Sequence, residues 1–395
     1  MQPRHKRHVL YLGDIAEPPR WLPLATHPLI NPILENALVG LFTIENPTEE
    51  EVRQLERTAR ESNGIAYVFK AGGTEFCVFI GSREVLCTRQ FAGEDEQAIH
   101  CDDFADAVER FSSGRFTLSL RGGSFSLGDR TRIMGILNVT PDSFSDGGSF
   151  YRFDAAVAQA EKMAEEGADI LDIGGESTRP GAEAIPEEEE ARRVMPVIEY
   201  LVKRIETPIS IDTCKAGIAR RALDAGAQIV NDVSALRYDP EMVNVVAENG
   251  CPLILMHMLG APKSMQENPQ YEALVPEIIA FLKSRIDFAS KEGVKPEQII
   301  VDPGIGFGKT VEHNLEILRG LAQFKALGRP LLVGPSRKLT IGKILGAEVE
   351  DRVEGTAAAV TVSIINGAHL VRVHDVKQMA RVARMTDAIM RVGSA

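Results

Sequence analysis

A (β/α)8 barrel with an additional small N-terminal α+β domain is the fold that this sequence predicts, and three observations carry the expectation. Short apolar runs, rich in β-branched residues, recur eight times between Ile133 and Val373 and alternate with helical patterns. An unbroken apolar run is how a parallel strand covered on both faces reads. Each run ends in a residue that carries charge or forms hydrogen bonds: in order Asn138, Glu176, Asp212, Asn231, His257, Asp302, Ser336 and Arg372. In an α/β barrel the carboxyl ends of the strands share one rim, and chemistry collects there. Repeated βα units fit a barrel or a doubly wound sheet, and a count of eight favours the barrel.

The elements follow in chain order. The pattern changes near residue 115, so residues 1–114 are expected as an accessory α+β domain and residues 115–395 as the barrel. The chain before Ile30 is rich in Pro and reads as irregular. Thr48-Glu49-Glu50-Glu51 is a capping box that opens a helix, which Asn63-Gly64 stops. Residues 65–70 and 74–80, joined through Ala71-Gly72-Gly73, read as a hairpin, and residues 102–112 as a further helix. A second hairpin signal, 115–120 and 124–127, directly precedes the first barrel strand, where a cap over the amino-terminal mouth is expected. Barrel strands are expected at 133–137, 170–174, 209–211, 229–230, 253–256, 299–301, 331–333 and 369–371. Asp154 is expected to cap a helix that Gly167 ends. Pro186 opens another, and Glu187, Glu188, Glu189 and Glu190 fill its first turn with the charge that the helix dipole favours.

Composition narrows the function classes. The chain has 395 residues, 44% hydrophobic and 25% charged, enough for a core that needs no disulfide or metal. No apolar stretch approaches the roughly 20 residues of a membrane span. The start, MQPRHKRHVLYLGD, is basic, but its apolar run is too short for a secretory segment. Five cysteines without a C-x-x-C pair read as free thiols in a reducing, cytoplasmic setting. A net charge of −12 argues against non-specific nucleic-acid binding. It also makes Arg179, Lys338, Arg372 and His374 stand out, because an acidic protein that binds an anion must build a positive spot.

Several segments carry chemistry. Asn138-Val-Thr-Pro-Asp142-Ser-Phe144-Ser-Asp146-Gly-Gly148 is dense in turn formers, a loop able to close over a site with Phe144 as its apolar face. In Asp172-Ile-Gly-Gly175-Glu176-Ser-Thr178-Arg179-Pro180-Gly181 the glycines let backbone approach a ligand, and Thr178 and Arg179 donate to an anion. Asp172 falls inside the strand and reads as a structural polar group. Asp212, Asn231 and Asp302 together suit a flat heterocycle with amidine-like N–H groups, since a carboxylate accepts two parallel N–H bonds. Leaving such groups unpaired costs roughly 1–3 kcal/mol, so a ligand lacking the matching edge is rejected. Asp302-Pro-Gly304-Ile-Gly306-Phe307-Gly308-Lys309-Thr310 is not a Walker A loop, because Pro303 stands where its first Gly belongs. Phe307, raised on a glycine-rich turn, reads instead as a wall for an aromatic ligand. Gly334-Pro-Ser336-Arg337-Lys338 and Arg372-Val-His374-Asp375 follow strands seven and eight, the usual phosphate site of such barrels.

On these motifs, with Ile211-Asp212-Thr213, Asn231-Asp232 and Met256-His-Met258, residues 115 to 390 closely resemble the dihydropteroate synthase family of folate biosynthesis. The resemblance implies a transferase that joins 4-aminobenzoate to 6-hydroxymethyl-7,8-dihydropterin diphosphate, a sulfonamide target, with Mg²⁺ as cofactor and a homodimer formed near residues 355–363. It implies that Asp212, Asn231, Met256, Asp302, Phe307, Gly334, Lys338 and Arg372 hold the pterin. Phe144, Thr178, Arg179, Pro180, Phe307 and Ser336 would shape the aminobenzoate pocket. Asn138, Thr178, Arg372 and His374 would hold the diphosphate, Asn138 through Mg²⁺. The catalytic candidates are Asp146, Thr178, Arg179, Lys338, Arg372 and His374. Residues 1–114 resemble neither the pyrophosphokinase nor the aldolase sometimes fused to such enzymes. The nearest alternative is a methyltetrahydrofolate:corrinoid methyltransferase, which shares the pterin-binding barrel but has no need of the Ser-Arg-Lys and Arg-Val-His cluster. From another class, a non-catalytic scaffold acting through residues 1–114 is opposed by the intact loop residues.

Overall fold

The computed structural model describes residues 7–14, 37–44, 53, 57, 65–71, 74–82 and 114–392, except 141–148, 178–183, 261–264 and 266–267. The chain falls into two units. One is Met1–Gly114 with Gln270–Ala280 and Gly320–Gly328; the other is Arg115–Pro269 with Phe281–Arg319 and Arg329–Ala395.

In the first unit, β1 (Arg7–Asp14), β2 (Ala37–Ile44), β3 (Ile65–Ala71) and β4 (Thr74–Ser82) form an antiparallel sheet in the order β1-β2-β4-β3. The expected hairpin is β3 with β4, and Ala71 faces Thr74 across its turn. The expectation that the chain before Ile30 is irregular is corrected by β1. Its run His-Val-Leu-Tyr-Leu pairs with β2, Arg7 opposite Ile44, a distant partner that no local pattern announces. Of the capping-box helix, Arg53 and Arg57 are described, and both are helical. The capping box itself and the helix expected at 102–112 lie outside the described residues.

The second unit contains the barrel. Strands β7 (Arg132–Asn138), β8 (Ile170–Gly174), β9 (Ile209–Asp212), β10 (Ile229–Asp232), β11 (Leu253–Met256), β12 (Ile299–Asp302), β13 (Leu332–Val333) and β14 (Leu370–Val373) form one sheet, ordered β12-β11-β10-β9-β8-β7-β14-β13. A parallel bridge between Val301 and Leu331 joins its two ends and closes the ring. The strands are short and buried along nearly their whole length, as helix-covered parallel strands must be.

Among the described residues after 115, nine α-helices accompany the strands. They are α1 (Ser149–Glu165), α2 (Glu187–Leu201), α3 (Ala216–Ala225), α4 (Met242–Asn249) and α5 (Leu274–Lys291). α6 (Val311–Arg319), α7 (Leu339–Leu345), α8 (Val353–Ile365) and α9 (Val376–Met390) complete the set, α7 and α8 both following β13. Gly167, at φ 102°, ends the first return as expected. Asp154 does not cap it. The helix starts at Ser149 and Asp154 is exposed within it, because its apolar face (Phe153, Ala156, Val157, Ala160) already begins one residue before Asp154. Pro186 does stand at the N-cap of α2, with four glutamates in the turn that follows. Among the described residues no helix is long and apolar enough to cross a membrane.

The second hairpin, β5 (Phe116–Leu120) and β6 (Gly123–Leu127), seals the barrel floor. Leu118 and Leu127 are buried against Met134, Ile170, Ile229, Ile254, Ile300, Leu332 and Leu370, residues from the first halves of seven barrel strands. Each such side chain contributes about 1.5–3 kcal/mol on burial. Gln298 completes the seal: its Oε1 accepts from Ser119 N at 2.8 Å and its Nε2 donates to Ser119 O at 2.8 Å. With that mouth plugged, ligands are left the carboxyl-side rim.

Candidate active site

Strand geometry sets the first layer of the site. Asp212 ends β9, Asn231 is the third residue of β10 and faces it in register, and Asp302 ends β12. All three are buried. Arg372 of β14 reaches across them, donating from Nε to Asp172 Oδ2 at 2.6 Å and from Nη2 to Asp212 Oδ2 at 2.7 Å. Asp172 Oδ2 also accepts from Asn231 Nδ2 at 3.0 Å. One fully buried carboxylate on β8 thus orients both the amide and the guanidinium. That is a larger share than the structural role read from sequence, and it is the main site residue the sequence reading missed.

Burial sets the charges. Removal from water raises the Asp212 pKa to about 7, helped by the Asp172 carboxylate and only partly opposed by Arg372. Asp302 is raised to about 6 by the same loss of solvent, against a Gly304 N–H bond and the charges of Lys338, Arg372 and Lys309. Burial alone would lower the Arg372 pKa, but Asp172 and Asp212 reverse this and hold it above its usual value. Among the described residues the Oδ1 atoms of Asp172 and Asp212 have no partner. A buried acceptor left in that state is costly, about 1–3 kcal/mol, so a ligand that brings N–H donors to Asp212 recovers it.

The wall beside this polar floor is apolar. Met256, Met258, Met265, Val233 and Phe307 pack together, with Cys214 against them. Phe307 sits on the turn after β12, where Gly304 and Gly306 have φ 70° and 85°. A Cβ on Gly304 would meet His257 O at 2.0 Å, and one on Gly306 would meet Lys338 Cδ at 3.0 Å. Gly304 is therefore required by the close approach of two strand-end loops, and Gly306 is favoured by its left-handed backbone. Lys338 Nζ lies 4.3 Å from the Phe307 ring centroid, within cation–π range.

The seventh and eighth strand ends meet as expected. Ser336 Oγ lies 3.0 Å from His374 Nδ1 and accepts from His374 N at 3.2 Å. With one proton and two lone pairs, Ser336 Oγ can pair with Nδ1 in either tautomer of the ring. Burial and the charges of Arg372, Arg337 and Lys338 push the His374 pKa down to about 3, so the ring is a neutral donor at pH 7. Arg337, with φ 55°, turns back to Asp375 (Nε to Oδ2, 3.0 Å; Nη2 to Oδ1, 2.5 Å) and so braces the Ser336 turn. Gly334 lies next to Arg372, where an added Cβ would be 3.8 Å from the Arg372 Cβ.

Asn138 ends β7, half-buried at the same rim. Glu176 pairs with Lys215 and accepts from Ile185 N at 3.5 Å, so it supports a loop. Lys215 also reaches the buried Glu190 at 2.5 Å. Phe144, Asp146, Thr178, Arg179 and Pro180 lie outside the described residues. Among the described residues no group of three or more His, Cys, Asp or Glu could hold a metal ion.

A floor of acceptors, a flat apolar wall and cations at strands seven and eight select a nitrogen-rich planar ring with an anionic tail. The family model of pterin binding enzymes matches residues 134–374, which fixes the class as a pterin-binding barrel enzyme. Among individual relatives, the dihydropteroate synthase of Synechocystis is 51% identical over 268 residues, 68% of this chain and 93% of that protein. That of Bacillus subtilis is 47% identical over 270 residues, 68% and 92% of the two chains. The Yersinia pestis dihydropteroate synthase structure with a sulfonamide drug complex superposes with TM-score 0.67 at 40% identity, covering 71% of this chain and all of that one (100%). The Xanthomonas albilineans enzyme in complex with 7,8-dihydropteroate superposes with TM-score 0.63 at 44% identity, covering 69% and 98%. The chain belongs to the dihydropteroate synthase family, and with it to the transferases.

Proposed function

We propose that the barrel joins 4-aminobenzoate to 6-hydroxymethyl-7,8-dihydropterin diphosphate, releasing diphosphate and giving 7,8-dihydropteroate. One observation carries the reading. Asp212, Asn231 and Asp302 are gathered at one rim, where Asp212 Oδ1 has no partner among the described residues, next to a wall built on Met256 and Phe307. The ring N–H groups go to the carboxylates, Asn231 reads the adjacent donor–acceptor pair, and Lys338 donates to the ring carbonyl and nitrogen. Gly334 lets the ring lie close over the backbone.

The scissile C–O bond has a good leaving group and an electron-rich ring behind it, so no side-chain nucleophile is needed. Catalysis is then electrostatic: positive charge and fixed donors stand where negative charge develops on the departing oxygens. Arg372 supplies the charge, and His374 supplies a neutral imidazole. The oxygen donor Asn138 fits Mg²⁺ in the way that ion is usually held, by one or two protein ligands together with substrate phosphates and water. Bound there, the ion would neutralise diphosphate charge. Ser336 and Phe307 are proposed for the aminobenzoate side, the role that the family resemblance also implies for Phe144, Asp146, Thr178, Arg179 and Pro180.

The expected state is a cytoplasmic homodimer. Leu339, Ile344, Ile365, Met385 and Ile389 on α7, α8 and α9 are about half exposed or more, an apolar surface that pairing of two copies would cover. Residues 1–114 are an accessory unit, and the match to the family model begins beyond them, at residue 134.

Diphosphate release tests the reaction. The protein mixed with the pterin diphosphate, Mg²⁺ and 4-aminobenzoate should release diphosphate and form dihydropteroate in equal amounts. No release, together with binding of a methylated folate, would turn the assignment to the corrinoid methyltransferases.

A further inference from the structure

The loop after β12 hides a lysine that the proposed reaction does not use. Lys309 is 3% exposed. Its Nζ donates to Phe307 O at 2.9 Å and to His257 O at 3.4 Å, and lies 2.9 Å from His257 Nδ1. An ammonium has three donors and no acceptor, and here three acceptors surround it. While Lys309 is protonated, Nδ1 is the bare nitrogen of a neutral imidazole. The His257 pKa is pushed down to about 2 by burial and by the Lys309 and Arg237 charges, which agrees. The ring is further fixed edge-on against Phe281, 4.9 Å between centroids.

What this pair holds is the pterin pocket's furniture. Phe307, whose carbonyl Lys309 binds, is the aromatic wall under Lys338. His257 directly follows β11, and its backbone N–H donates to Asp302 O at 2.9 Å. One buried amine therefore ties the ends of β11 and β12 together; burial lowers its own pKa to about 7, and in its charged form it favours the ionised form of Asp302.

We propose that Lys309 is a positioning residue for the pterin site, which fixes the Phe307 wall through its carbonyl and, through His257, ties the end of β11 to the end of β12 that carries Asp302. It touches no substrate. The inference rests on the proposed pterin reaction. A purely stabilising role makes a different forecast, because replacing a buried ion by an apolar residue of similar volume is often neutral or stabilising. Such a replacement would then leave substrate use intact.

The experiment compares full-length wild type, Lys309→Met and His257→Leu, by steady-state kinetics with both substrates from about pH 5 to about pH 9 and by thermal melting. Among the described residues the charged groups that act on Lys309 are Asp302 and Lys338, and Asp302 is the acid of the two. Lys309→Met should raise KM for the pterin diphosphate about tenfold or more, the scale of one charge-assisted hydrogen bond, with kcat changed far less. The acid limb of kcat/KM should move to higher pH, since Asp302 loses a nearby cation. His257→Leu keeps the charge, so it should raise KM and leave the limb in place. A folded Lys309→Met protein with wild-type KM and an unmoved limb overturns the proposal. So does wild-type KM in His257→Leu where Lys309→Met fails to fold, while a raised KM in that variant supports it. If wild type itself does not use the pterin diphosphate, the failure is that of the proposed function.

Discussion

Asp302→Asn separates binding chemistry from folding. Asp302 Oδ1 accepts the Gly304 N–H at 2.7 Å, and an Asn side chain can keep that bond through its amide oxygen. What changes is the other end, where an acceptor becomes a donor facing the pterin's N–H groups. A lost charge-assisted hydrogen bond costs about 1.5–3 kcal/mol, and a stranded buried donor about 1–3 kcal/mol more. The two are not additive, so about 3 kcal/mol is the working figure, roughly a hundredfold in pterin affinity. Stability should move the other way. The Asp302 pKa is raised on folding to about 6, so its stabilising contribution is complete below the unfolded value and lost as pH rises through about 6. At about pH 8 the ionised carboxylate is a burden on the empty protein, and the Asn variant should melt no lower than wild type. Titration calorimetry with the pterin diphosphate, beside melting curves at the same pH, gives both numbers. Binding within about threefold of wild type in a folded variant would refute the role given to Asp302.

Other consequences are open to simple measurement. Pterin affinity should fall as pH drops through about 7 and then about 6, as Asp212 and Asp302 take up protons; an affinity that stays flat through that window contradicts the carboxylate floor. Asp172→Asn should weaken pterin binding about tenfold, by releasing Arg372 and Asn231. It should also shift the upper midpoint to lower pH, because the Asp172 charge raises the Asp212 pKa; an upward shift would be inconsistent. Arg179→Ala should cut turnover and raise the aminobenzoate KM while pterin affinity survives, and the reverse pattern would put Arg179 with the pterin floor. Met385→Glu with Ile389→Glu should halve the mass seen by light scattering and leave pterin affinity unchanged; an unaltered mass places the dimer contact elsewhere.

Much of the barrel was legible because a buried parallel strand leaves a plain mark: a short apolar run that stops on a polar residue. Asp212, Asn231 and Asp302 stood out for that reason, and the Ser336 and His374 contact follows from two neighbouring strand ends. Asp172 reads in the sequence as a structural polar group and no more. Its partner Arg372 lies 200 residues away, so the pairing that makes an inward carboxylate useful exists only once the barrel closes. A charged residue inside an apolar strand was still a usable signal, since a buried charge demands a partner. Lys309 was masked in another way. The glycines around it invite a phosphate-loop reading, and only their positive φ angles show the chain doubling back to bury the amine. The strand β1 was missed because its partner is β2, and a sheet edge is not a local property.

The central claim is that the carboxyl-side rim receives a pterin ring on Asp212, Asn231 and Asp302. The direct measurement is a crystal structure of the full chain soaked with 6-hydroxymethyl-7,8-dihydropterin diphosphate. The expected map has the ring edge at about 2.7–3.2 Å from those side chains, its face on Phe307, and its tail toward Ser336 and His374. Density for the ring on any other surface, with the rim empty, would contradict the account.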